Sequence, residues 1–264
     1  MHSRRSADVH CKEWPERRGA LIRLFEEMGR VKRSLYFFAG IIALTVAGAD
    51  IENSLADNAR IIKRVPTTHK IVALTFDDGP GKKTPEILAI LREKHVSATF
   101  FVLGESVERF PQYVKDEIAA GHEIGNHGYS HTRLRRAGAS TVEYEIGRTE
   151  ALLAKVTDVK PHLFRPPGGL YNRTVLAEAR KKDYTIVLWS VDSRDWASSG
   201  EGILRTILDN TRPGSIILLH DGLPVPTSVV LPTVIDRLRE QGYEFVTVSE
   251  LLNYYEVRPR YTTD

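Results

Sequence analysis

The stretch Thr75-Phe-Asp-Asp-Gly-Pro80 constrains this chain more than any other. It follows the apolar run Ile71-Val-Ala-Leu74, which reads as a strand buried on both faces. Two adjacent carboxylates, Asp77 and Asp78, then stand where that strand must end, and Gly79-Pro80 turns the chain. Neighbouring side chains on a strand face opposite ways, but where the backbone bends both can reach one cavity. Two negative charges so placed repel, and a cation or an arginine must compensate them. The rest of the sequence is expected to supply that partner.

From Ile71 onward, short apolar runs alternate with helical patterns. Strands are expected at 71–76, 98–102, 122–125, 163–165, 184–191, 215–220 and 244–247. Thr84-Pro85 reads as an N-cap followed by a first helical proline, and Pro111 starts a helix that Gly121 stops. Ser140-x-x-Glu143 reads as a capping box before an amphipathic run to about Val156. Asn172 is expected to cap a helix reaching Lys182, and Ser228 to precede one ending at Gln241-Gly242. Such β-then-α units in a row predict a parallel sheet, and at 264 residues a closed or nearly closed barrel. One catalytic domain, about 67–256, accounts for nearly everything, with 50–66 as a tether or irregular lead-in strand and 257–264 as a tail.

In parallel β/α folds the chemistry sits at the C-terminal ends of strands. Asp77-Asp78 follow the first expected strand, His127 and His131 the third, and Arg165-Pro-Pro-Gly-Gly169 the fourth. Asp192, Asp195 and Trp196 follow the fifth, and His220-Asp221 the sixth. A His-x₃-His pair alone is a weak signal, because paired histidines commonly cap, pack or hydrogen-bond. Joined to an Asp-Asp pair after another strand, it becomes the His₂-carboxylate ligand set of hydrolytic zinc. Asp78, His127 and His131 are assigned to the metal, which frees Asp77 to act as general base on the attacking water. Amide hydrolysis also requires protonation of the leaving amine, and His220 is the natural acid. Arg165 is expected to balance the charge on Asp77, and Asp195 to hold His220 protonated. The Gly168 N–H, after the rigid Pro166-Pro167 turn, is expected to meet the developing oxyanion beside the ion.

Trp196 and Tyr171 either wall a groove for a sugar ring or pack as ordinary aromatics. Leu218, in the run leading into His220, is grouped with them and Gly168 as substrate-binding. Trp189 is expected in the core, and Arg133, Arg135 and Arg136 in a solvated loop. His95, His122 and His162 have no partner that the sequence names.

Charge and cysteine usage narrow the setting. Residues 1–49 hold nine Lys/Arg against five Asp/Glu, and the remaining 28 basic and 29 acidic side chains nearly balance. The formal net charge of +3 therefore belongs to the leader and does not point to nucleic acid. Arg30, Lys32 and Arg33 precede an apolar run from Leu35 to Ala49 that ends in Ala47-Gly48-Ala49. The run is shorter than the roughly 20 residues of a spanning helix. A secretory signal cleaved before Asp50 is expected, placing the protein outside the cytoplasmic membrane or in the cell envelope. The alternative is an uncleaved anchor, the one way this chain would engage a membrane. Residues 1–27 are long for a signal's basic region, and Met28 makes a more ordinary start. Cys11, the only cysteine, lies in this leader, so any metal must be held by His and carboxylate.

Taken in order, five segments resemble those of the carbohydrate esterase family 4 polysaccharide deacetylases, which share the NodB homology domain. They are Thr75–Gly79, His127-Gly-Tyr-Ser-His131, Arg165-Pro-Pro-Gly-Gly169, Asp192-Ser-Arg-Asp-Trp196 and Leu218-Leu-His220. The resemblance, spanning roughly Lys70 to Tyr255, implies an α/β fold, a distorted, incomplete (β/α)₇ barrel of TIM-like type. It also implies metal-dependent removal of N-acetyl groups from GlcNAc residues of peptidoglycan or a chitin-type polysaccharide. Its roles for Asp77, Asp78, His127, His131, Arg165, Asp195 and His220 agree with those argued above. Zn²⁺ is the expected ion, with Co²⁺ or another divalent ion as alternatives. The expected partner is an N-acetylated glycan, with no nucleic acid.

Two positions depart from the family pattern. Gly128 stands where Ser or Thr is common and loses a hydroxyl expected to buttress the loop. Gly168 stands where an aromatic is common, which predicts a wider subsite. An O-acetyl esterase acting on xylan or another wall polysaccharide is the competing enzymatic reading, and a non-catalytic wall-binding module the other. A cytoplasmic small-amide hydrolase fits poorly with the leader.

Overall fold

The computed structural model describes residues 61–255. The expected signal leader, with Met28 and Cys11, and the 257–264 tail lie outside the described residues. Within them, nine strands form one sheet: β1 (Ile61–Ile62), β2 (Ile71–Asp77), β3 (Thr99–Val102), β4 (Glu123–Asn126), β5 (Leu163–Phe164), β6 (Thr185–Val187), β7 (Val191–Asp192), β8 (Ile216–His220) and β9 (Glu244–Phe245). The spatial order is β1-β6-β5-β4-β3-β2-β8-β7, with β9 paired to β2, and every ladder is parallel. Helices α1 (Thr84–Glu93), α2 (Gly104–Arg109), α3 (Pro111–Ala119), α4 (Ala139–Thr157), α5 (Arg173–Lys181), α6 (Gly200–Asn210), α7 (Thr227–Glu240) and α8 (Val248–Leu252) fill the crossovers.

The barrel is incomplete because the run expected as one strand, 184–191, is two. β6 pairs with β5 and β1, whereas β7 pairs with β8 at the far end of the order. Residues 188–190 cross the opening, Leu188 donating to the Ile62 carbonyl at 2.7 Å and Ser190 to Ile216 at 3.0 Å. Ile186 and Val187 on one side and Val191 on the other are buried and apolar, so composition did not mark the break. Trp189, expected in the core, lies in this crossing and is only half-buried.

The pleat of β2 decides where its carboxylates point. Val72, Leu74 and Phe76 belong to the main cluster under the helices, with Phe100, Leu91, Ile217 and Leu219. Burying each such side chain is worth about 1.5–3 kcal/mol. Slipping the strand by one residue would put Thr75 and Asp77 into that cluster, so the apolar face fixes the register. Ile71 and Ala73 join a second cluster on the opposite face, with Thr75 and Asp77 continuing that face toward the strand's end. Asp77 lies directly opposite His220 on β8 and Phe101 on β3.

Several helix starts differ from expectation. The cap residue of α1 is Lys83, and the Thr84 hydroxyl instead donates to Asp221 Oδ2 and accepts from Gly81 N at 2.7 Å. Gly138 caps α4 without a side-chain bond, leaving Ser140 inside the helix and no capping box. Ser228 also lies inside its helix, behind Pro226 at the cap position. Asn172 does cap α5, accepting from Val175 N at 3.0 Å. Helix α6, capped by Ser199, was not read from the sequence, its first turn carrying Gly200 and Gly202.

Candidate active site

The strand ends bring Asp77, Asp78, His127, His131, Arg165, Asp195 and His220 to one rim. Arg165 is wholly buried and holds Asp77 from below. Its Nη1 donates to Asp77 Oδ1 at 2.6 Å and to Thr75 Oγ1 at 2.8 Å. Nε and Nη2 donate to the Val187 and Leu188 carbonyls, both at 3.2 Å, and the guanidinium lies 4.0 Å from the centre of the Phe101 ring. A buried cation survives only when its charge is paired and its N–H groups are satisfied. Burial pulls the Arg165 pKa below its usual value, and the Asp77 charge and hydrogen bond oppose that pull.

Asp78 has φ 69°, just past the end of β2. That left-handed conformation is unfavourable for a residue with a Cβ, and it turns the second carboxylate toward the histidines. Asp78 Oδ1 lies 3.4 Å from His127 Nε2 and 3.3 Å from His131 Nε2. The three ligand atoms fall within 4.8 Å of one another. His127 Nδ1 is 2.7 Å from the Arg165 carbonyl. A carbonyl only accepts, so Nδ1 carries a proton, and Nε2 is the ring nitrogen turned toward Asp78. Burial lowers the His131 pKa, which keeps its ring neutral, against the charge of Asp78. Burial would raise the Asp78 pKa, but His127, with His131 and His220, holds it below its usual value. Asp78 Oδ1 is nonetheless buried without a hydrogen-bond partner. Three acceptor atoms converging on one point, one of them orphaned, fit a divalent cation.

His220 is held as tightly. Its Nδ1 is 2.7 Å from Asp195 Oδ1, and its backbone N–H donates to Asp195 Oδ2 at 2.9 Å. The Thr227 hydroxyl also donates to Oδ2. Burial alone would lower the His220 pKa, but the bond to Asp195, its charge and those of Asp77 and Asp78 raise it to about 9. The ring is therefore an imidazolium at neutral pH and can give up a proton.

The four residues grouped as substrate-binding separate. Trp196 is exposed, with the Arg194 guanidinium 5.9 Å from its ring. Tyr171 is half-buried and packs against the third core cluster, closer to ordinary packing than to a free wall. Leu218 is buried on the inner face two residues below His220, opposite Thr75. Gly168 is exposed at φ 63° with nothing within 4 Å of where a Cβ would stand, so no wall occupies this position. Gly169 N and Leu170 N bond to the Pro166 and Pro167 carbonyls at 2.8 and 3.4 Å, bonds in which the Gly168 N–H takes no part. His122, without a nameable partner in the sequence, accepts from Ala98 N at 3.3 Å, and burial lowers its pKa to about 4.

Glu145 escaped the sequence reading because a glutamate on an amphipathic helix reads as solvent-facing. It is buried beneath the loop between the two histidines. Its Oε2 accepts from Tyr129 N at 2.8 Å and Ser130 N at 2.9 Å, and its Oε1 accepts from Ser130 Oγ at 2.6 Å. Asn126 Oδ1 accepts from Gly128 N at 2.8 Å. These bonds buttress the loop in place of the expected hydroxyl. Gly128 sits at φ 86°, and a Cβ there would come within 3.2 Å of Glu145 Oε2. Glu145→Ala removes the acceptor of three hydrogen bonds from the half-buried Tyr129 and the exposed Ser130, each worth about 0.5–1.5 kcal/mol, and frees the loop that carries His131. Zn²⁺ affinity, titrated against a competing chelator, is expected to fall about tenfold. Equal affinity in the two proteins would show that the loop holds its shape unaided.

The sequence model of the family described as "Polysaccharide deacetylase" matches residues 64–187. A peptidoglycan-N-acetylglucosamine deacetylase of Bacillus cereus is 40% identical over 210 residues, covering 77% of this chain and 98% of that protein. A chitooligosaccharide deacetylase of Sinorhizobium fredii is 39% identical over 171 residues, covering 64% of this chain and 80% of that one. The crystal structure of a family 4 pseudoenzyme from Bacillus anthracis matches with a TM-score of 0.71 at 30% identity, covering 76% of this chain and 71% of that one. Identity sustained across nearly the whole of one relative reflects common descent rather than a shared local motif, and the chain belongs to the polysaccharide deacetylase family.

Proposed function

We propose that this protein is a secreted, zinc-dependent deacetylase that removes N-acetyl groups from GlcNAc residues of peptidoglycan or a chitin-type glycan. The names of its relatives supply the two substrate classes. Family membership alone does not carry the activity, since one relative of the same fold is a pseudoenzyme. What carries it is the pairing of Arg165 with Asp77 and of Asp195 with His220 around the Asp78, His127 and His131 triad.

A divalent ion bound to that triad supplies Lewis acidity, polarising the acetamide carbonyl and making a water nucleophilic at neutral pH. Asp77, paired with Arg165 at 2.6 Å, accepts the proton of the attacking water. The Gly168 N–H donates to the developing oxyanion. His220, an imidazolium fixed by Asp195, delivers a proton to the leaving nitrogen, without which the amine is a poor leaving group. Trp196 offers an exposed face on which a sugar ring can lie.

The test is acetate release from chitin oligomers and from purified peptidoglycan. Activity is expected to vanish after EDTA and to return with added Zn²⁺. Release that survives exhaustive chelation, or none from either polymer with zinc bound, would overturn the reading. In the second case an O-acetylated polysaccharide becomes the substrate to try.

A further inference from the structure

A cavity of about 430 Å³ opens between the β2–α1 turn, α2 and the loop from β8 to α7. Its lining begins at Pro80, two residues past Asp78, and resumes at Gly222, two past His220. Ser106, also in the lining, donates to the Asp78 carbonyl at 3.4 Å, so the cavity shares a wall with the metal-ligand turn. Lys82, Lys83 and Arg109 line it, and no carboxylate does. Lys83 makes an exposed ion pair with Glu86 at 2.8 Å, a contact easily exchanged in water. Among the described residues, neither Lys82 nor Arg109 has an ion-pair partner. The chain after the leader is otherwise nearly neutral, with 28 basic and 29 acidic side chains, so this is a local excess. Between the cations the wall is apolar, formed by Phe110 and Pro224 among others. Cations beside an apolar floor suit a carboxylate on a short hydrocarbon stem better than a phosphate.

We propose that this cavity is a carboxylate subsite, engaging the acidic substituents that a peptidoglycan strand carries beside the sugar being deacetylated. The proposal rests on the reading of the neighbouring centre as a glycan deacetylase. Peptidoglycan offers two sources of this chemistry, the carboxylates of its peptide stems and, on muramyl sugars that carry no stem, the free lactyl carboxylate. A chitin oligomer is uncharged and gains nothing from the subsite. The cavity thus favours peptidoglycan over chitin by binding, without touching the reacting atoms.

The experiment compares the zinc-loaded full chain with the double variant Lys82→Ser/Arg109→Ser. Both side chains are exposed, and an unchanged thermal midpoint would verify that the fold is kept. The kcat/KM ratio of peptidoglycan to chitin oligomer is expected to fall about tenfold, through KM, the scale of two solvent-exposed charge contacts. An unchanged ratio overturns the subsite. Stripping the peptide stems with an amidase removes the stem carboxylates and frees the lactyl carboxylates that had been amide-linked to them. A ratio that still falls on the stripped strands assigns the lactyl group, and one that no longer falls assigns the stem. Should the wild-type chain release acetate from none of these polymers, calorimetric binding of muramyl dipeptide decides the subsite separately. Binding that the double variant loses would uphold the cavity while the deacetylase reading falls, and no binding by the wild type would overturn both.

Discussion

Asp77→Asn is expected to lower kcat for acetate release by about 10³-fold, the scale of a lost general base. The amide is nearly isosteric and can still accept from Arg165, but it cannot take a proton at neutral pH. It also removes the charge opposite a fully buried guanidinium, whose Nη1 donates to Asp77 at 2.6 Å. A buried ion pair broken from one side costs about 3–5 kcal/mol in general; retention of the Asn side chain as an acceptor puts this variant below that range. Lost activity must therefore be separated from lost fold. Asp78, His127 and His131 are untouched, so Zn²⁺ affinity measured by chelator competition should stay near that of the wild type. A variant that binds zinc normally and keeps kcat within tenfold would remove Asp77 from the mechanism.

His220→Ala is expected to cost about 10²- to 10³-fold on N-acetylated glycan and only about tenfold on an aryl acetate ester. The difference follows from the leaving groups, since a phenolate departs without help and an amine does not. Equal losses on both substrates would assign His220 a role other than acid. The pH profile offers a second reading. The folded pKa of His220, about 9, lies above its ordinary 6.5, so the ring is protonated at every pH below about 9. The alkaline limb of kcat should therefore fall near that value. Asp195→Asn removes the hydrogen-bonded charge that raises it, and the limb should move toward neutral pH. The same pairing contributes folding stability that is fully present below pH 6.5 and fades as the pH rises through about 9.

The seven polar residues of the centre were legible because their chemistry restricts residue type and place. Two adjacent aspartates after an apolar strand, and histidines four apart after another, have few stable uses outside a cation site. Side-chain hydroxyls were less legible. Thr84, Ser140 and Ser228 each sit where a cap would be plausible, and whether a hydroxyl caps depends on what else competes for it. For Thr84 the competitor is Asp221, 137 residues away in sequence. The run 184–191 misled for a related reason, since strands buried on both faces look alike whether or not they continue. Glu145 was invisible because its three partners lie in a loop 15 and 16 residues upstream.

The amino-acid sequence by itself determined the alternation of β and α elements over most of the chain, the inner face of β2 and the identity of the groups that meet at the rim. Those follow from local periodicity and from which side chains can hold a metal or move a proton. Tertiary structure alone decided that the barrel stays open between its edge strands β1 and β7, and that His127 presents Nε2 rather than Nδ1 to Asp78. It also decided that Lys82 and Arg109, on separate elements, border one cavity. Each of these depends on contacts between segments far apart in the chain, and burial and hydrogen-bond satisfaction select among arrangements that the local sequence allows equally.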